Sequence, residues 1–366
     1  MQNTKIGKIL KRNAIMKILG KIAKFLIPLL IGGALIYFLY SNFDVNEMKE
    51  ILRTNMNWWW FAAVIVVSIF SHIFRAARWR LQLRGLGIKP PFSALVNSIF
   101  GTYAVNLVFP RLGEVWRTGY IAKRQNTSFT TVLGSMMGDR LSDTVVVLLL
   151  TVFTFFIAQD AFYSFLDTYP SIKEGLWNMA MSPWTWIACV AAIVFLVWLF
   201  RSNTRNVIVV KVKQMAKNLW DGLYVIVKME DKWWFLFYTV MIWGCYYFQL
   251  YLASFAFPFT ESLGMKAVLV LFVLSSISMG IPTNGGLGAW HIAIIFGLSL
   301  YGVGADFRAS GPFDAQASTF AMVVWGIQTL LLITLGIYSF IYMEIDRRRI
   351  KSGKVIVESD GNGMKL

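Results

Sequence analysis

Nine apolar segments recur along this 366-residue chain, at 25–40, 58–74, 92–109, 128–158, 184–200, 233–257, 267–281, 290–303 and 316–343. One globular core has no room for that much apolar sequence, so the excess needs a second apolar solvent, which a bilayer supplies. The composition agrees, with 57% hydrophobic and only 15% charged residues. Trp58, Trp59, Trp60, Trp233 and Trp234 stand where apolar runs begin, as interfacial belts do. The fold class expected is an all-α polytopic membrane protein. Because a full crossing takes about 20 residues, the segment lengths point to about seven full transmembrane helices plus re-entrant or hairpin segments.

The net charge of +16 does not make the chain a nucleic-acid binder, because its basic residues lie between the apolar runs rather than in one stripe. Residues 1–24, 75–90, 201–232 and 343–366 hold 25 of the 35 Lys and Arg, whereas 41–57, 159–183, 258–266 and 304–315 hold five. The positive-inside rule places the first four regions, both termini among them, in the cytoplasm and the other four outside. The expected location is the inner (cytoplasmic) membrane. Residues 1–24 alternate Ile6, Ile9, Leu10, Ile18 and Ile22 with lysines, the pattern of an interfacial amphipathic helix. The following run reads as a retained signal anchor, since no small-x-small cleavage site ends it. Residues 25–343 then form one transmembrane domain, and 344–366 a basic, then polar, cytoplasmic tail.

This orientation leaves two stretches, 90–127 and 267–303, that start and finish on the same side. Each is expected to be a membrane hairpin or re-entrant pair, entering from opposite faces. Both break at a Pro with Gly three residues on: Pro110-Arg-Leu-Gly113-Glu114 and Pro282-Thr-Asn-Gly285-Gly286-Leu-Gly288. Interrupted apolar segments of opposite polarity suggest an inverted repeat with a site near the midplane, and the two breaks are expected to approach each other. Read more plainly, Pro and Gly punctuate ordinary loops.

The polar residues near these breaks are the candidate site. Arg111, Glu114, Arg117, Asp139, Arg140 and Asp143 are ionisable groups close to lipid, where such groups line cavities or pair with one another. Arginine presents a fork of donors matched to phosphate, and the acids hold the forks in place. On the architectural reading, Glu114 with Arg117 and Arg140 with Asp143 are ion pairs between or along helices. In the second break, Asn284, Gly285 and Gly286 precede a helix expected to start near Ala289, an arrangement that makes an anion nest. His291 carries a proton or serves as an ordinary hydrogen-bonding group. No phosphate-cradling Gly-Lys-Ser/Thr loop, metal-spaced His pair or Ser nucleophile elbow is present, so neither ATP hydrolysis nor a metal or other cofactor is expected.

Together, RAARWR at 75–80, PRLGEVWR at 110–117, DRLSD at 139–143 and PTNGGLG at 282–288 resemble the transmembrane flippase-like region of the lysylphosphatidylglycerol synthase/flippase family. The resemblance implies a domain that moves phospholipids or isoprenoid-linked lipids between leaflets. It assigns motif positions to Pro110, Gly113, Glu114 and Arg117, to Asp139, Arg140 and Asp143, and to Pro282, Gly285, Gly286 and Gly288. Asn284 stands where relatives tend to carry a second Pro, and His291 where they tend to carry an acid. The soluble aminoacyl-transferase domain of bifunctional members has no counterpart here, so transport is expected rather than synthesis. The expected function is ATP-independent translocation of a lipid with an anionic head group. The alternatives are a membrane-embedded lipid-phosphate transferase with Glu114 or Asp139 as base, and a lipid-binding scaffold for a lipid-modifying enzyme partner.

Overall fold

The computed structural model describes residues 30, 33–37, 45–54, 56–201, 209–210, 213, 229–304 and 314–352. The expected amphipathic N-terminal helix, most of the signal anchor, most of the 201–232 connection and the tail after 352 lie outside the described residues. The rest is helical: α1 Val45–Thr54, α2 Trp59–Gly85, α3 Phe92–Val108, α4 Leu112–Arg124, α5 Phe129–Ile157 and α6 Gln159–Thr168. These are followed by α7 Pro170–Met181, α8 Pro183–Arg201, α9 Lys232–Ser254, α10 Gly264–Ser278, α11 Ala289–Ser299 and α12 Ala315–Lys351.

Among the described residues, four helices, α2, α5, α9 and α12, are long and apolar enough to cross a membrane, and α3 and α10 are shorter apolar helices. The chain is therefore a multi-pass, all-helical membrane protein. Residues 159–183, expected as an outer connection, are themselves largely helical. Pro170 starts α7 at the first helical position, where its missing N–H is not needed and its fixed φ suits the helix.

The chain forms two compact units, one of residues up to 133 together with those from 238, the other of residues 134–237. In the first, α12 runs along α3, α3 packs on α4 and on α2, and α10 pairs with α11. Small residues bring these helices close: a Cβ on Gly336 of α12 would strike Ala104 of α3, and one on Gly101 would strike the Trp116 ring. The core at one end of this unit gathers Trp79 and Leu83 from α2, Leu95 and Ile99 from α3, and Ile121 from α4.

Local chemistry sets the helix ends. Asn57 Oδ1 accepts the Trp59 N–H at 3.1 Å before α2. The chain leaves α2 through Gly87, at φ 74°, with the Ile88 N–H returned to the Leu83 carbonyl at 2.9 Å. Asp314 caps α12 by accepting the Ala317 N–H at 2.8 Å.

Candidate functional site

The first break is a three-residue turn, Phe109 to Arg111, between α3 and α4. Arg111 is left-handed there (φ 62°), a conformation that costs a residue with a Cβ about 1–3 kcal/mol unless its surroundings hold it. Gly113 follows because a Cβ would collide with the Thr102 carbonyl of α3. Asn106, in the last turn of α3, ties the break shut. Its Oδ1 accepts the Gly113 N–H at 2.8 Å, and its Nδ2 donates to the Glu114 carboxylate at 3.2 and 3.3 Å. Glu114 thus sits buried in the first turn of α4, where the helix dipole favours a negative charge.

One turn further, Arg117 is 1% exposed and its guanidinium lies 4.4 Å from the centre of the Trp79 ring on α2. A cation over an indole face at that distance is a favourable electrostatic contact. Arg117 therefore has a packing role, whatever else it contacts.

The second break, from Met279 to Gly288, joins α10 to α11 and meets the first directly. Asn284 Nδ2 donates to the carbonyls of Leu107 (3.2 Å) and Val108 (2.8 Å), the last two residues of α3. In return, Arg111 Nη2 donates to the Gly280 carbonyl at 2.8 Å. Trp325 of α12 adds its indole N–H to the Gly285 carbonyl at 2.9 Å. Each interrupted helix pair thus supplies donors for backbone carbonyls of the other or finds them on a neighbouring helix, as polar backbone away from water requires. Gly285, Gly286 and Gly288 all have positive φ, and a Cβ on each would meet Leu107, the Met279 sulfur and Leu35 respectively. The glycine loop is occupied by the protein's own side chains. His291 is buried between Trp290 and Trp325, with ring centres 5.7 and 5.3 Å away.

Asp139, Arg140 and Asp143 lie on α5 in the second unit. Asp139 is fully buried and Asp143 nearly so, while the Arg140 side chain is 37% exposed and 3.8 Å from the Asp143 carboxylate.

Arg75 and Arg78, expected in a basic cytoplasmic connection, instead belong to a buried polar face of α2 that the sequence reading did not foresee. Ser68, His72, Arg75 and Arg78 follow one another at helical spacing and are all buried in the first unit. Ser68 donates to Gln328 of α12 at 3.0 Å, and Gln328 donates to Gln249 of α9 at 3.2 Å. Arg75 donates to the Tyr246 hydroxyl at 3.3 Å, which lies 3.1 Å from that of Tyr103, whose ring centre is 4.6 Å from that of His72. Arg78 donates to Thr239 at 3.3 Å. The spacing of the α2 residues was a usable signal, but their partners on α9 and α12 lie more than 150 residues away in sequence.

No curated protein and no solved structure gives a significant match to the chain. Residues 25–337, most of the chain and both joined breaks, match the family described as the lysylphosphatidylglycerol synthase TM region. The chain therefore belongs to that family, whose description ties this membrane protein to lipid metabolism.

Proposed function

We propose that the protein translocates a lipid with an anionic head group between leaflets, without ATP hydrolysis in this chain. The observation that carries this reading is the tip-to-tip joint of the two breaks. At 1.5 Å per residue, α3 and α10 reach only about 26 and 22 Å, short of a hydrocarbon core about 30 Å thick. If each starts at a membrane surface, its break falls within the bilayer, as in transporters whose sites lie at broken helices. Arg111 stands at that joint as an exposed cation, suited to a phosphate.

In this reading the breaks are re-entrant tips of an inverted repeat within about seven spans, and both termini are cytoplasmic in an inner membrane. Arg111, Glu114, Arg117, Asn284 and His291 serve the head-group path, while Gly285 and Gly286 let the two breaks approach. Asp139, Arg140 and Asp143 of α5 are candidates by their motif alone. The partners are membrane lipids, with a lipid-modifying enzyme upstream or downstream. The test is reconstitution into vesicles holding a labelled phospholipid or a polyprenyl phosphate. Movement between leaflets without chemical change is the expected result; a new lipid product, or no movement, would overturn it.

A further inference from the structure

Next to the joint, α10 and α11 leave an open cleft of about 410 Å³ lined by Leu274, Ser278, Ile281, Ala293 and Phe296, with Leu35 against it. Ser278 donates its hydroxyl to the Ser275 carbonyl at 2.7 Å, so its polar atom is satisfied on its own helix and the lining is apolar. Gly280, whose carbonyl holds Arg111, lies between two lining residues, Ser278 and Ile281. The guanidinium is therefore held by the chain segment that lines one side of the cleft.

The surroundings of that guanidinium are unusual for an exposed cation. Val108 is 61% exposed, Met279 50%, Ile281 48%, and Phe109 and Leu112 38% each. An exposed arginine in a segment of exposed apolar side chains is disfavoured against lipid tails alone, because its donors need water or an anion. Among the described residues its one hydrogen bond goes to Gly280, which leaves most of the five donors of a guanidinium available. An open apolar cleft in a bilayer is filled by hydrocarbon, but lipid tails gain little by exchanging one apolar wall for another. Selectivity must then come from the charge that the lining segment holds.

We propose that this cleft holds one hydrocarbon chain of an anionic bilayer phospholipid whose phosphate is bound by Arg111. The site deepens the translocase reading and rests on it for its role. It fixes one chain of the lipid in the groove between α10 and α11 while the head group stands at the joint of the two breaks. Arg111 acts here as a forked donor, so lysine is a poor replacement. Ala293 of α11 lines the cleft, so a larger side chain there fills it from within the protein.

The experiment uses the full chain in vesicles containing phosphatidylglycerol with a photoreactive group on one acyl chain, and compares it with diacylglycerol bearing the same chain. Adducts are mapped by peptide mass spectrometry. Labelling at Ile281 and Phe296 is expected to favour phosphatidylglycerol about tenfold, the size of one charge-assisted contact. Arg111→Gln should remove that preference, Arg111→Lys should restore only part of it, and Ala293→Phe should move adducts out of the cleft for both lipids. Equal labelling by the two lipids, adducts spread evenly over the apolar surface, or a preference unchanged in Arg111→Gln would overturn the site. Leaflet exchange measured on the same vesicles separates the two ideas. Cleft labelling without exchange rejects the translocase and keeps the site, whereas exchange without cleft labelling does the reverse.

Discussion

Asn284 closes the C-terminal end of α3 by donating to the Val108 carbonyl at 2.8 Å across 176 residues of sequence. The last carbonyls of a helix have no partner within it, and the same amide also reaches Leu107 at 3.2 Å. Asn284→Leu keeps the bulk and removes the donor, leaving those carbonyls to an apolar setting. The expected loss is about 1–3 kcal/mol of stability, read as a lower Tm in detergent. Combined with Arg111→Ala, which cuts the reciprocal bond to Gly280, the loss should fall short of the sum of the two, because both bonds hold the same joint.

Two glycines on α4 should respond in opposite ways to the same substitution. Gly113→Ala places a methyl against the Thr102 carbonyl and the Asn106 side chain, so the α3–α4 turn must open. Gly119→Ala meets only the Phe129 ring, at an ordinary 3.9 Å. Since alanine is better than glycine in a helix by about 1 kcal/mol, Gly119→Ala should hold or raise Tm while Gly113→Ala lowers it. Equal melting of the two variants would mean that the turn is looser than the Gly113 contacts require.

Arg117 is expected to matter for stability as well as for transport. Arg117→Lys keeps the charge but loses the planar group that lies over Trp79, a change of about 0.5–2 kcal/mol at a desolvated site. Trp79→Leu should cost at least as much and should make Arg117→Lys nearly silent in the double variant. Glu114→Gln keeps an acceptor for Asn106 and removes the charge from the first turn of α4, which is worth about 0.3–1 kcal/mol there. Melting curves of the four variants in one detergent decide among these outcomes.

How much of this was legible in the sequence depends on the range of the interaction. The Pro-to-Gly breaks at 110–113 and 282–285, and the helix start near Ala289, follow from local rules of helix termination, and the structure places them as expected. That the two breaks meet was also expected. How they meet was not, because the contact of Asn284 with Leu107 and Val108 joins residues with no common pattern. The same holds for Asn106 and Trp325, which read as unremarkable members of apolar runs, and for Trp79, which fell in a stretch read as a basic cytoplasmic connection. The three glycines of the second break read as room for a ligand, yet their missing Cβ atoms make room for Leu107, Met279 and Leu35. A glycine records only that something comes close, not what.

The positive-inside orientation predicts opposite accessibility for two charged positions of the second unit. With Cys189 and Cys245 replaced by Ser, Glu174→Cys should react with an impermeant maleimide from outside intact cells, and Lys213→Cys only after permeabilisation. Reaction of both from outside would reverse the assignment of the 201–232 connection.

At the far end of α4, Arg124 and Asp346 form a forked ion pair that should fasten α12 to the α3–α4 hairpin. Arg124 Nε and Nη2 donate to the two carboxylate oxygens of Asp346 at 2.8 and 3.0 Å, both side chains are less than 10% exposed, and Tyr120 adds its hydroxyl at 2.9 Å. The Gln125 side chain accepts from Arg124 Nη1 at 3.0 Å, so the guanidinium is held on three of its nitrogens. Removing one member of such a pair leaves the other charged and buried, which costs about 3–5 kcal/mol, whereas replacing both by apolar groups costs far less. Asp346→Leu alone should therefore lower Tm strongly, and Arg124→Leu with Asp346→Leu should recover much of the loss. The exposed pairs of Glu344 with Arg347 and Arg348, within the same stretch of α12, serve as the control. Glu344→Ala removes two ion pairs at the surface and should change stability by no more than about 1 kcal/mol. If Glu344→Ala and Asp346→Leu melt alike, the buried pair does not fasten α12.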